Sequence, residues 1–129
     1  MSSATWSGHT LALMRIVTGL LFLAHGIQKY LGFPVVAPFG IVHPASLMGV
    51  AGIFEIVGGA LIVIGLFTRP VAFILSGMMA AAYFMMHFPK SPFPIVNGGE
   101  MAVMFCFVFL YISTVGPGRW SMDTSRRRR

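Results

Sequence analysis

The sequence predicts an all-α integral membrane protein, a four-helix bundle with both ends on the cytoplasmic side. Three observations predict it. Of the 129 residues, 57% are hydrophobic and 9% charged, with a mean hydropathy of +0.84. That is too little charge to clothe a soluble domain. The apolar residues fall into runs of about 18 or more, the length that crosses a bilayer as a helix. Proline- and glycine-rich stretches at 32–46, 89–99 and 116–118 break the helical pattern between or after runs. A single membrane domain over residues 1–129 follows.

Taken in order, residues 1–9 are short and polar and are expected to fray. Span 1 is expected at about 10–31, span 2 at about 47–67, span 3 at about 70–88 and span 4 at about 98–115. The first apolar run is too long for a cleavable signal peptide, and the opening residues lack a basic start. Between spans 1 and 2, Pro34, Pro38 and Pro44 forbid a regular helix, while Phe33, Val35, Val36 and Phe39 make the loop too apolar to float free. An interfacial or re-entrant segment fits. Span 2 holds Gly49, Gly52, Gly58, Gly59 and Gly65, small residues that let membrane helices approach closely. Thr68-Arg69-Pro70 is a connection so short that spans 2 and 3 must be antiparallel neighbours. A second proline-rich connector runs from Pro89 to Pro94, and Gly116-Pro117-Gly118 ends span 4. Trp6 and Trp120 lie just outside spans, where indole rings favour the interface.

Charge sets the orientation. With four spans, Arg15, Arg69, Arg119 and Arg126 to Arg129 share one side, and the other side holds Lys29 and Lys90. The positive-inside rule makes the first side cytoplasmic. The terminal arginine run also suits an anionic inner leaflet. Cys106 is the one cysteine and lies within an apolar run, so no disulfide can form within the chain and no CxxC motif exists.

The polar residues of the spans carry the functional question. Arg15, Thr18, Phe22, His25 and Lys29 follow one another at three- and four-residue steps, placing them on one face of span 1. Arg15 and Lys29 lie about 21 Å apart along the axis. Each can snorkel to its own membrane surface, which makes Arg15 a cytoplasmic anchor. Glu55 lies about 12 Å inside span 2 and His25 about 9 Å inside span 1, both reckoned from the outer side. A carboxylate at that depth must be paired, hydrated or protonated. Tyr83 and His87 on span 3, with Asn97 and Glu100 at the start of span 4, fall at the same outer end.

Three readings compete for this set. The first is structural: buried pairs that fix helix packing, such as Lys29 with Glu100 and His25 with Glu55. The second is a pocket open to the outer leaflet for a small hydrophobic molecule. A quinone suits it, because its tail lies in lipid and its head needs donors and proton acceptors. Here His25 and Glu55 exchange protons, Lys29 and Glu100 position charge, and Tyr83, His87 and Asn97 line the head. The third is a metal or haem, but no span has an HxxxH, ExxH or CxxC spacing, so no metal ligands are assigned.

These residues also carry a resemblance. Arg15, Gly19, Phe22, His25-Gly26 and Lys29, then Glu55, Gly58-Gly59, Gly65-Leu66 and Thr68-Arg69, then His87 and Asn97-Gly98-Gly99-Glu100, and the closing Gly116-Pro117-Gly118-Arg119-Trp120-Ser121-Met122-Asp123, resemble the DoxX family of small bacterial and archaeal membrane proteins. The closing stretch is the most telling part. The resemblance implies a four-helix membrane protein. It also implies a link to membrane oxidoreductases, including the small membrane subunit of thiosulfate:quinone oxidoreductase and complexes of oxidative-stress and thiol defence. The expectation is therefore an inner-membrane, multi-pass subunit of a quinone-linked redox system. Its partners would be the lipid bilayer, a redox subunit and a small hydrophobic molecule, with no nucleic acid. The alternative is a non-catalytic scaffold or a small-solute permease, the latter opposed by Leu66, Phe67, Ile74 and Leu75 near the inner mouth.

Overall fold

A computed structural model describes residues 2–127. The described residues form six α-helices and one π-helical turn, with no strand among them. They divide into two units. One runs through Thr68 and takes back the tail from Pro117; the other is Arg69–Gly116.

In the first unit, α1 (Ser3–Leu31) starts well before the expected position. The opening segment does not fray, because Ser2 caps it by accepting from the Thr5 N–H at 3.3 Å. Its polar side chains bond back to the helix: Ser7 to the Ala4 carbonyl, and Thr10 to that of Trp6. At 29 residues, α1 is about 43 Å long, more than the roughly 30 Å hydrocarbon core, so its end turns reach the headgroups. α2 (Leu47–Ile64) is capped by Ser46 and stops at Gly65, whose φ of 69° is left-handed. That is short of the expected 67, because the Gly65 and Leu66 N–H groups turn back onto Ile62 and Leu61 and close the helix.

α1 and α2 are antiparallel and touch through glycines. A Cβ on Gly19 would lie 2.8–3.0 Å from Val63 and the Gly59 carbonyl, and one on Gly59 would lie 2.9–3.0 Å from the Leu23 backbone and Cβ. Gly26 meets Gly52, Glu55 and Ile56 in the same way. One glycine every two turns on each helix thus makes a continuous seam. Leu13, Val17, Leu20, Leu21, Ile53 and Val57 remain exposed, as lipid-facing side chains should.

The segment 32–46 contains no helix. It is tied to the end of α1 by Val42 N–H to the Lys29 carbonyl (3.0 Å) and by the Gln28 amide to the Val35 carbonyl (3.2 Å). Phe33, Val35, Val36, Phe39 and Ile41 stay exposed. The tail holds a short helix, α6 (Met122–Arg127), with Ser121 accepting from the Thr124 N–H. Arg128 and Arg129 of the arginine run lie outside the described residues.

The second unit contains α3 (Thr68–Ala82) from Arg69 onward, then a π-helical turn over Tyr83–His87, α4 (Pro94–Asn97) and α5 (Glu100–Val115). The expected regular helix to 88 is interrupted: the Phe88 N–H bonds five residues back to Tyr83 at 2.9 Å. Ala72, Leu75, Met79, Ala102, Phe105, Phe109 and Ile112 are buried. Ser76 Oγ donates to the Cys106 carbonyl at 2.7 Å and joins α3 to α5. Among the described residues, three helical stretches are long and apolar enough to cross a membrane: Ser3–Leu31, Leu47–Ile64 and Thr68–His87. α5 is apolar but shorter, at 16 residues.

Candidate functional site

The glycine seam brings Lys29 to Glu55. With Gly26 against the base of Glu55, the Lys29 ammonium one turn further along α1 reaches both carboxylate oxygens, at 2.7 and 2.8 Å. The side chains are 12% and 6% exposed. Lysine carries three N–H groups, so the carboxylate uses two and one remains. Lys29 therefore takes Glu55, whereas the structural pairing expected from sequence gave it Glu100. Glu100 is exposed in the first turn of α5, where the helix dipole favours an acid.

His25 departs from the expected buried stripe. Arg15, Thr18, Phe22 and Gly26 are buried, but His25 is exposed. The seam runs Gly19 to Gly26, and a residue adjacent to Gly26 is rotated by about 100° around the helix. His25 is thus on the rim, one helical turn from Lys29 on the same face.

The second unit gathers Tyr83, His87 and Asn97 into a separate knot. Asn97 is 4% exposed. Its amide donates to Tyr83 Oη at 3.2 Å and to the Ser91 carbonyl at 2.9 Å, and its Oδ1 accepts from the Gly99 N–H at 2.8 Å. His87 Nδ1 lies 3.1 Å from the Asn97 carbonyl oxygen, and its ring stacks on Tyr83 at 6.3 Å. The π-helical turn makes this possible. The wider turn rotates His87 relative to a regular helix, so that it meets Asn97 beyond the connector. Both Asn97 donors serve the chain itself, so its amide fixes the connector between α3 and α5.

Sequence reasoning missed a third polar centre. Arg15 is fully buried and does not snorkel. Its Nε donates to the Ile62 carbonyl at 3.0 Å, Nη1 to Pro117 and to Arg119 at 3.0 Å, and Nη2 to Val63 at 3.4 Å and Trp120 at 2.8 Å. A guanidinium has five N–H groups, and five carbonyls accept them. Two belong to the last turn of α2, where carbonyls run out of helical partners and Ile62 also accepts from the Gly65 N–H; three belong to the tail. Arg15 therefore ties α1, α2 and the tail together.

Asp123 completes the arrangement from the tail side. Its carboxylate accepts from the Phe67 and Thr68 N–H groups, both at 2.9 Å, at the start of α3, and its own N–H donates to the Gly65 carbonyl at 2.9 Å. Burial pushes the Asp123 carboxyl up, but the Thr68 and Phe67 hydrogen bonds and the Arg126 charge outweigh it and hold it below its ordinary value. A lone carboxylate in an otherwise basic tail was the available signal.

The DoxX family model matches residues 10–88. An uncharacterized protein of Haemophilus influenzae is 45% identical, over 88% of this chain and 87% of its own length. An uncharacterized membrane protein of Mycobacterium tuberculosis is 31% identical, over 90% of this chain and 80% of its own. A Bacillus subtilis protein named "Putative oxidoreductase CatD" is 26% identical, over 86% of this chain and 82% of its own. No solved structure matches. The matched stretch contains the glycine seam, Arg15 and the Lys29–Glu55 pair, and on these grounds the chain is a multi-pass membrane protein that belongs to the DoxX family.

Proposed function

We propose that this protein is an inner-membrane subunit of a quinone-linked redox system, crossing the bilayer four times with both ends cytoplasmic. The observation that carries the reading is the Lys29–Glu55 pair. An ion pair with so little exposure, set between two apolar spans, is costly to desolvate and calls for a reason beyond stability. The third Lys29 N–H suits a quinone carbonyl oxygen. Glu55 and His25 are the groups for proton exchange, with His25 on the rim where protons enter. Electrons would come from a partner oxidoreductase subunit, because the chain carries no recognisable redox-cofactor motif. The name of the Bacillus subtilis relative supports an oxidoreductase context. Tyr83, His87 and Asn97 serve to hold the connector within their own unit.

The test is extraction of quinone from the purified protein, with reduced-minus-oxidised absorbance, for the native chain and for Glu55→Gln. The expected result is bound quinone in the native protein and a loss of about tenfold or more in Glu55→Gln, corresponding to one charge-assisted interaction of about 1.5–3 kcal/mol. Absence of quinone from the native protein, with membrane quinone reduction unchanged in Glu55→Gln, rejects the reading.

A second reading, a non-catalytic scaffold, has an observation of its own: Lys29, Glu55 and Asn97 all find partners within their own unit. The double substitution Lys29→Met with Glu55→Leu separates the two. Removing both charges is close to neutral for stability, whereas losing one partner alone costs about 3–5 kcal/mol. A scaffold keeps its function in the folded double variant; a quinone subunit does not.

A further inference from the structure

At the end of the first unit where α2 stops and α1 begins, exposed aromatic rings and arginines meet. Phe67 is 54% exposed, Trp120 60% and Trp6 58%. Arg126 lies over the Phe67 ring at 5.6 Å from its centroid. Arg119 and Arg127 are exposed in the same tail. Among the described residues, no carboxylate lies within ion-pair distance of these three arginines. The nearest acid in sequence, Asp123, is hydrogen-bonded to the Phe67 and Thr68 N–H groups and feels the Arg126 charge without forming an ion pair with it.

The cluster is held in place. Phe67 and Trp120 are the two non-glycine residues with left-handed backbone among the described residues, each at φ 52°. Bulky side chains rarely adopt that conformation, and it persists only where the surroundings impose it. Here the imposing bonds are visible. The Phe67 N–H donates to Asp123, the Trp120 carbonyl accepts from Arg15, and the Trp120 ring meets His9 edge-on at 5.0 Å. The result is two rings presented outward beside cationic groups.

Its level in the bilayer follows from the spans. α1 exceeds the hydrocarbon thickness, α2 ends at Ile64 and α3 starts at Thr68, so Trp6, Phe67 and Trp120 belong to the interface. Aromatic rings there sit among headgroups, and guanidinium groups bind phosphate by paired N–H donors.

We infer that Arg119, Arg126 and Arg127, with Phe67 and Trp120, form a binding site for the headgroup of an anionic phospholipid. The arginines take the phosphate, and the rings wedge beside the glycerol and upper acyl chain. This assignment is independent of the quinone reading.

Trp6 and Trp120 are the chain's two tryptophans, so full-length Trp6→Phe leaves Trp120 as the reporter at the site. This protein is reconstituted in phosphatidylcholine vesicles containing brominated phosphatidylglycerol or brominated phosphatidylcholine at equal mole fraction. Bromine quenches the indole on contact. The expected result is preferential quenching by the phosphatidylglycerol form, by roughly fivefold in apparent affinity for each arginine engaged, weakening as salt rises. In the same background, combined Arg119→Gln, Arg126→Gln and Arg127→Gln abolishes the preference, with helicity unchanged because these side chains are exposed. Equal quenching by the two lipids, or an undiminished preference in the triple variant, overturns the inference. Inorganic phosphate is added at matched ionic strength. If it removes the preference more than chloride does, the site is one for free phosphate and not for a lipid.

Discussion

Arg15→Lys keeps the charge and removes the fork. Arginine supplies five N–H groups to five carbonyls, whereas lysine supplies three from one nitrogen. At least two buried carbonyls then lose their donor. Each costs about 1–3 kcal/mol, so the total is about 2–6 kcal/mol. At the lower bound the tail opens roughly 30-fold more often, taking tenfold per 1.4 kcal/mol. Hydrogen exchange reads this directly at the Arg119 amide, bonded to the Gly8 carbonyl, and at the Asp123 amide, bonded to the Gly65 carbonyl. Trypsin cleavage after Arg119 is a second readout, because the opened tail becomes a substrate there. Arg69→Lys is the internal comparison. Arg69 also bonds helix-terminal carbonyls, those of Thr114 and Val115, but these contacts are exposed, and a small effect is expected. Unchanged exchange at both tail amides in Arg15→Lys would refute the clamp.

Two further outcomes follow from the same geometry. The Asp123 carboxyl is held below its ordinary value of 3.8. Its contribution is therefore complete above that value and disappears as pH falls through the lower folded value. Tail docking, read by exchange at the Asp123 amide, should be constant from neutral pH down to about 4 and weaken below it. Asp123→Ala should cost about 0.5–2 kcal/mol at neutral pH, toward the lower end because the carboxylate keeps partial contact with solvent. An equal acid transition in Asp123→Ala and the native chain would refute the assignment. At the seam, Gly59→Leu places side-chain atoms against the Leu23 backbone, which cannot rotate away. A loss of about 1–3 kcal/mol is expected, measured as a lower thermal midpoint in detergent. Gly77→Leu, at a glycine with open space around it, should have little effect.

Several features were legible in the chain because they depend on local pattern. Apolar length marked the spans, and prolines marked the two irregular connectors. The glycine-rich face of span 2 announced a close contact, and the seam with α1 is that contact. The site was only partly legible. Lys29 and Glu55 were singled out because charge inside apolar sequence is costly wherever it points. Their pairing was not, since Glu100 offered an equal carboxylate on sequence grounds. His25 was misplaced because three- and four-residue steps define a broad stripe, and only the seam shows which edge of it is buried. The π-helical turn over Tyr83–His87 has no period of its own to detect.

The sequence alone therefore determined that the chain is helical, apolar enough to live in a bilayer, and marked by a handful of expensive polar groups. Composition and periodicity suffice for that, because each residue's transfer cost and helical phase are its own. The tertiary structure decided what each polar group does. Arg15 became an interior clamp for five carbonyls, Asp123 became a cap for a helix that begins 55 residues earlier, and Lys29 found Glu55. Those outcomes depend on which backbone groups are left unbonded at helix ends, and on which of them a side chain distant in sequence can reach. Only the folded chain settles that.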